Sequence, residues 1–378
     1  PSLESVALVE KGKLSLLRLP DRANARAALP EVRLVDLRRI GAGPTGDRLL
    51  SLPLHRAIEE NLAKKEQTIL FLNRRGFAPS VVCMSCGTVE SCKACSVSLT
   101  FHRGAGRVKC HYCGYEDACP TRCSSCSSKE LSLEGLGTEK LEATLAEAFP
   151  SARVARLDRD VAAGIASEKV LARVRRGEVD ILVGTQMVTK GHDLANVTLV
   201  GVVNADAALS MPDFRAGERT FQLLVQVAGR AGRHERPGRV LIQTRSPEHP
   251  AITFAARHDV DGFLRAELRD RKETCYPPIA RLALLRVEAV DEKLAERSAK
   301  LLAEAARKTS AAERRLVEVM GPAPAPIPRL RGRFRFRVML RANERPPLRA
   351  ALQAVDAALA DLDRRVRAVI DVDPVAML

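Results

Sequence analysis

The chain has 378 residues, too many for one ordinary domain, and 46% of them are hydrophobic, enough to bury a sizeable core. Lysine and arginine outnumber aspartate and glutamate 61 to 46, a formal charge of +15 that favours a polyanionic partner, most often nucleic acid. No stretch approaches the ~18 uncharged apolar residues of a membrane span, and the composition excludes a collagenous or disordered chain. Charge alone does not identify a ligand, because an arginine-rich surface can simply be solvated.

The opening PSLESVALVEKGK has no apolar signal segment and starts at Pro1 rather than Met, so the chain reads as a piece of something longer. The first expected element is a short buried strand, QTILFLN (67–73), and a cysteine-rich stretch interrupts the pattern after it. Then GTEKLEATLAEAF (137–149) has helical spacing, ARVARLD (152–158) alternates as a strand, and SEKVLARVRRGEVD (167–180) is an amphipathic helix. ILVGTQMV (181–188) and VTLVGVVNAD (197–206) are strands, ERTFQLLVQVAGRAGR (218–233) is a helix and GRVLIQT (238–244) is a strand. HPAITFAARHDVDGFLRAEL (249–268) is one further helix. Strands alternating with helices predict a parallel sheet covered on both faces, with the cysteine-rich stretch inserted and adding no strand to it.

Past Tyr276-Pro277-Pro278 the pattern changes. ARLALLRVEAV is a strand, DEKLAERSAKLLAEAARKTSA a helix, and LVEVMGPAPAPIPRLRGRFRFRVMLRAN two strands around a proline-rich loop. PPLRAALQAVDAALADLD is a helix and VRAVIDVDPV a last strand. The order β-α-β-β-α-β is the ferredoxin-like plan.

Nine of the ten cysteines lie between Cys83 and Cys126, and the tenth is Cys275. They form the pairs Cys83/Cys86, Cys92/Cys95, Cys110/Cys113 and Cys123/Cys126. A C-x-x-C turn aims two thiolates at one point, half of a tetrahedral zinc site, so four pairs predict two structural zinc ions. Nothing marks secretion, which argues against disulfides, and four tandem pairs argue against a redox motif. Spacing leaves open which pairs combine. Cys119 has no partner at this spacing and reads as a bystander. His102 and His111 are potential ligands, but the thiolate count is already complete. Lys109, Arg103 and Arg107 make the stretch basic. Tyr112 and Tyr115 can stack on bases or pack a small core, and packing is the preferred reading.

Three segments carry further chemistry. GTQMVTKGHDL (184–194) follows a strand end, where open α/β sheets bind ligands. QVAGRAGR (226–233) sets Arg230 and Arg233 three apart on one helical face, each after a glycine, as guanidiniums facing a γ-phosphate require. FLNRRGF (71–77) is a basic loop after a strand. No G-x-x-x-x-G-K-[S/T] loop occurs, and the one Gly-Lys, in VEKGKLS, lacks the leading glycine and the hydroxyl.

In this order these segments are similar to the second motor lobe of superfamily 2 helicases. With the eight-cysteine insertion the chain resembles the primosomal protein N′ family of bacterial replication-restart helicases. FLNRRGFAP, GLGTEKLE, LDRD, GTQMVTKGHD, NADAALSMPDFRAGER, QVAGRAGR, GRFRFRVML and DVDP carry the resemblance, and PSLES resembles the end of a first motor lobe. The implied fold is α/β: a RecA-like lobe 2 over 1–77 and 129–270, preceded by the end of lobe 1. An inserted two-zinc module covers 78–128, and a ferredoxin-like α+β domain covers 271–378.

The resemblance also implies a function, the C-terminal part of an ATP-dependent 3′→5′ DNA helicase that restarts replication at forks. The P-loop and Mg²⁺-binding motif would lie upstream, so this chain alone is expected to be inactive. One zinc would take Cys83, Cys86, Cys123 and Cys126, the other Cys92, Cys95, Cys110 and Cys113. Arg230 and Arg233 would face ATP, with Gln226 orienting them. Thr185, Gln186, Lys190, Gly191 and Asp193 match the motif that couples nucleotide to DNA.

In the last domain, Phe334 and Phe336 fall on one face of a strand and Arg333, Arg335 and Arg337 on the other, a track for phosphate or carboxylate. Arg345 and Arg349 align approximately with positions that bind the tail of single-stranded DNA-binding protein. The Pro-Pro between them and the lack of tryptophan depart from the family pattern. Implied partners are forked, single-stranded and duplex DNA, the single-stranded DNA-binding protein tail and other primosome proteins, in a bacterial cytoplasm at the nucleoid and away from membranes. A rival reading is a fork-binding, primosome-loading platform without motor activity.

Overall fold

The computed structural model describes residues 1–19, 28–41, 43–46, 49–72, 80–83, 85–86, 88–94, 97–102, 106–110, 113, 115–134, 138–157, 165–189, 194–209, 211–232 and 236–377. Six strands form one parallel sheet in the order Glu31–Asp36, Arg239–Thr244, Val197–Asn204, Gln67–Leu72, Ile181–Gly184 and Val154–Leu157. Its inner strands are continuous apolar runs because both faces are covered. In Gln67–Leu72, Ile69 and Phe71 join a core with helices Ile165–Arg175, Ala216–Ala228, Pro250–Ala256 and Val260–Glu273. Leu70 and Leu72 point the other way, into a core with helices Leu52–Ala63 and Thr138–Ala148.

Several elements differ from the sequence expectation, each for a local reason. The edge strand Glu31–Asp36 and the helix Leu52–Ala63 precede residue 67, where the reading had no element. EVRLVD alternates exposed and covered residues as edge strands do, so it lacks the apolar run of an inner strand. The helix expected over 218–233 ends at Ala228 with Gly229 as its cap. The helix expected over 249–268 is two, Pro250–Ala256 and Val260–Glu273. His258 at φ 54° breaks it, and Asp259 caps the second piece by accepting the Gly262 N–H. ILVGTQMV extends only to Gly184 and continues as a tight turn, Gln186–Thr189.

The cysteine-rich segment builds its own antiparallel sheet, in the order Glu116–Ala118, Arg107–Lys109, Thr100–His102, Ser80–Cys83 and Leu131–Glu134. It adds no strand to the parallel sheet.

A third sheet, antiparallel, orders Val317–Leu330, Arg333–Ala342, Arg281–Ala289 and Arg367–Val372, with helices Glu292–Arg307 and Arg345–Ala358 packed on one face. That is the expected β-α-β-β-α-β arrangement. Ala295, Ala299, Ala303 and Ala306 are fully buried, and such small residues let the first helix lie close on the strands. The hairpin between the two longest strands reaches the cysteine module: Gly332 donates its N–H to the Ala94 carbonyl at 2.7 Å, and Leu330 packs into the module's core.

Candidate metal centre and parallel-sheet site

Four C-x-x-C turns close in the same way. The N–H of the first cysteine reaches a carbonyl five residues on, Cys83 to Thr88 at 2.8 Å, Cys92 to Val97 at 2.9 Å, Cys110 to Tyr115 at 2.8 Å and Cys123 to Ser128 at 2.9 Å. This closure folds each turn back and lifts its thiols to one side. Pairing of Ser80–Cys83 with Leu131–Glu134 sets Cys83 opposite Leu131, which brings the first turn against the last.

As a result, the Sγ atoms of Cys83, Cys86, Cys123 and Cys126 lie within 4.8 Å of one another, and those of Cys92, Cys110 and Cys113 do likewise. Cys95 lies outside the described residues. The grouping joins the first pair with the last and encloses the middle pairs. Cys83–Cys126, Cys86–Cys123 and Cys92–Cys113 are each 3.6 Å apart. A tetrahedron with Zn–S bonds of about 2.3 Å has edges of about 3.8 Å, so the spacing suits a thiolate-held zinc ion. Every described cysteine is a free thiol.

The thiols share protons unevenly. The Thr88 hydroxyl, 3.2 Å from Sγ, and the Thr88 backbone help lower the Cys86 thiol to about 6. Cys126, although the Ser128 backbone acts to lower it, is pushed up to about 12 by the adjoining thiols of Cys86 and Cys83. Such a cluster gives up protons together when a dication enters.

Glu90, which the sequence reading passed over, is buried and accepts the Ser124 N–H, inside the last C-x-x-C turn, at 2.8 Å. A lone acid between two C-x-x-C pairs was the available signal. Cys119 and Tyr115 pack on the small core that Val81, Leu99 and Val108 form with Cys92 and Cys110, and the Tyr115 hydroxyl hydrogen-bonds Asp117. Tyr112, His111 and Arg103 fall outside the described residues.

In the parallel-sheet domain, Thr185 is buried at the carboxyl end of Ile181–Gly184, and exposed Gln186 begins the turn that packs on helix Ala216–Ala228. Gly184 is required there: a Cβ would lie 2.2 Å from Val188 Cγ1 and 2.9 Å from the Leu157 carbonyl. Lys190, Gly191, Asp193 and the FLNRRGF loop beyond Leu72 lie outside the described residues.

Exposed Gln226 is in the last turn of Ala216–Ala228, and Arg230 follows the cap with its Nε 3.5 Å from the Gln226 carbonyl. Arg230 is therefore past the helix end rather than on a helical face with Arg233, which is itself not described. The loop is fixed by Gly232, whose N–H bonds the Val197 carbonyl at 3.3 Å and whose Cβ position is 2.5 Å from Gly238 N. Gly238, absent from the sequence reading, matters for the same contact. Val197 opens its strand and Gly184 closes its own, so Arg230 and Thr185 sit toward opposite ends of the parallel sheet.

In the third sheet, Phe336 is core and Phe334 packs against it. Arg335 is buried and paired with Glu288 at 3.0 Å. Arg333 donates to the Arg365 carbonyl at 3.3 Å and Arg337 to the Met377 carbonyl at 3.4 Å. Arg345 and Arg349 are exposed one turn apart on the last helix.

Three family descriptions match the chain. The helicase conserved C-terminal domain matches 127–235, the PriA DNA helicase Cys-rich region 92–117, and the primosomal protein N C-terminal domain 272–375. The chain is similar to the replication restart protein PriA of Bacillus subtilis, at 41% identity over 357 residues, 94% of this chain and 44% of that one. It is 38% identical to the protein of the same name from Haemophilus influenzae over 375 residues, 99% of this chain and 50% of that one. It thus spans about half the length of the curated relatives it matches. Among solved structures, the C-terminal domain of the DEAD-box protein Dbp5 aligns with 63% of this chain and 88% of that one, at 12% identity and TM-score 0.32.

Proposed function

The chain belongs to the PriA family of replication restart proteins, corresponding to the C-terminal half of a member, and from that premise we propose that it is the second lobe, zinc module and C-terminal domain of an ATP-dependent 3′→5′ DNA helicase acting at forks. The observation that carries this reading is one chain joining a parallel sheet that bears QVAGRAGR to a thiolate module inserted between Gln67–Leu72 and Thr138–Ala148. Zinc, bound by Cys83, Cys86, Cys123 and Cys126 and by Cys92, Cys95, Cys110 and Cys113, would be structural. All four positions of each site would be thiolates, leaving none open for water.

In the reaction, Arg230 and Arg233 would offer guanidiniums to the γ-phosphate from the second lobe, while the P-loop lysine and Mg²⁺ would come from the first. Thr185, Gln186, Lys190, Gly191 and Asp193 would couple nucleotide to DNA. Arg333, Arg337, Arg345 and Arg349 supply basic surface for DNA or for the acidic tail of single-stranded DNA-binding protein, whereas Arg335 is already neutralised by Glu288. Other primosome proteins complete the partners, in the cytoplasm at the nucleoid. Among the described residues no helix is long and apolar enough to cross a membrane.

The test is Arg230→Ala in a protein carrying both lobes. DNA-stimulated ATP hydrolysis should fall by ~10³-fold or more, the scale of an arginine finger. Zinc content should stay at two equivalents and DNA affinity should hold. A variant that unfolds while its folded fraction stays fully active would make Arg230 structural. An unsubstituted two-lobed protein that binds forks without hydrolysing ATP would favour the platform reading.

A further inference from the structure

Residues 373–377 leave the last strand of the third sheet and cross to the motor lobe. Asp373 first donates its N–H to the Leu282 carbonyl at 2.8 Å. Arg215 of the lobe then donates to the Pro374 carbonyl at 2.8 Å, Arg219 donates to the Val375 carbonyl, and Met377 donates its N–H to Asp213 Oδ2 at 3.3 Å. The Met377 side chain is buried among Leu282, Leu284, Phe214 and Met339, which belong to both domains.

These contacts gather at one place, the head of helix Ala216–Ala228. Asp213 accepts the Arg215 N–H at 3.0 Å and the Arg219 guanidinium at 2.9 Å, and its backbone carbonyl accepts the Ala216 N–H at 2.9 Å. Its carboxylate is 2% exposed, so it needs every donor it has, and one of them is Met377. Arg215 also reaches Glu4 at 3.1 Å, and Glu218 in the first turn accepts the Leu3 N–H at 3.2 Å. A helix of 13 residues is about 20 Å long and stiff, so its head and its far end move together. Arg230 follows two residues past the far end.

We propose that segment 373–377 is a strap that sets the attitude of helix Ala216–Ala228, and that Met377 is a positioning residue for Arg230 in ATP turnover. The proposal rests on reading the chain as the second lobe of a motor. It makes the C-terminal domain a mechanical part of the nucleotide site: whatever holds or shifts the third sheet reaches Arg230 through Met377, Asp213 and the helix.

Two arms test it. In this chain, hydrogen exchange is followed over 216–230 for the native protein, Met377→Asp, the milder Met377→Ala, and Met377→Leu. The first two should exchange ~10-fold faster in that helix, Met377→Leu should match the native protein, and strand Arg281–Ala289 should be unchanged. In the protein carrying both lobes, Met377→Asp or Met377→Ala should lower kcat for ATP by up to ~10²-fold, as small misplacements at an active site do. The KM for ATP and the affinity for DNA should stay within ~2-fold, and Met377→Leu should restore kcat. Unchanged exchange in the helix would show that the strap does not hold it. Faster exchange with unaltered kcat would end the positioning role and leave the motor reading standing. An unsubstituted two-lobed protein without turnover would overturn the motor reading and this proposal with it.

Discussion

Arg271 is 3% exposed, and its guanidinium reaches Glu267 at 2.7 Å, Glu218 at 3.4 Å and the Pro277 carbonyl at 2.8 Å. Removing one partner of a buried ion group is far costlier than removing a surface pair, because the remaining charges stay desolvated. Arg271→Ala should therefore cost ~3–5 kcal/mol, read as a lower urea midpoint, whereas a drop within ~1 kcal/mol would mean that the group is effectively solvated. Burial also pushes the Glu267 carboxyl above its ordinary 4.5, outweighing the attraction of Arg271. The folded state then holds that proton to higher pH than the unfolded chain does. Stability from this group is complete below 4.5 and is lost as pH rises through the raised value. Glu267→Gln should flatten the fall in midpoint as pH rises above 4.5, and an equally steep fall in the variant would assign it to other groups. None of this was legible in LRDRKE, which reads as a solvated helix face, because Glu218 is 53 residues from Arg271. The thiol ligands were legible because a C-x-x-C turn carries its geometry within four residues.

The cysteine module shows how far one element depends on a metal. Among its described residues the buried apolar cluster is Val81, Leu99 and Val108 with Cys92 and Cys110. A core this small cannot offset the ordering of some 50 residues, and a thiolate-zinc site contributes on the order of 10 kcal/mol. Chelation should therefore melt the module while the parallel sheet, with its two apolar cores, stays protected from hydrogen exchange. Loss should spread to one remote place, the hairpin tip at Leu330–Gly332, which docks on Ala94 beside Cys92. Cys110→Ser should loosen the same tip, and a tip that stays protected in the metal-free chain would mean that docking is independent of zinc. At this scale periodicity named most elements, and it failed at ends. ERTFQLLVQVAGRAGR keeps helical spacing through Arg230, but Gly229 caps the helix and Gly232 at φ 63° turns the chain. Apolar spacing says which face is buried. It does not say where backbone groups at a helix end find other partners.

Across the whole molecule, Thr185 and Arg230 are separated by the parallel sheet itself. Thr185 lies at a carboxyl strand end, and Arg230 comes two residues before Gly232, which bonds the Val197 carbonyl at an amino end. A phosphoryl group held only from the Arg230 side meets guanidinium charge and no P-loop, since the chain contains no G-x-x-x-x-G-K-[S/T] sequence. Transfer needs the metal, the lysine and an oriented water as well as the fingers, and fingers without them have no bound substrate to act on. DNA binding is different, because phosphates are recognised by distributed charge and the chain carries +15. The 378-residue chain alone should accordingly bind DNA while turning over no ATP, with or without DNA. Its affinity should fall steeply with salt, by ~10³-fold or more between 50 and 200 mM if six or more phosphates are contacted, since counterions are released one for each. Fluorescence anisotropy on a labelled fork at several salt concentrations, with a phosphate-release assay on the same samples, measures both. An affinity that is flat across that range would remove the phosphate-led interface. Hydrolysis at an ordinary helicase rate by this chain would mean that it contains a complete nucleotide site, and Arg230 would then have to be reread as part of it.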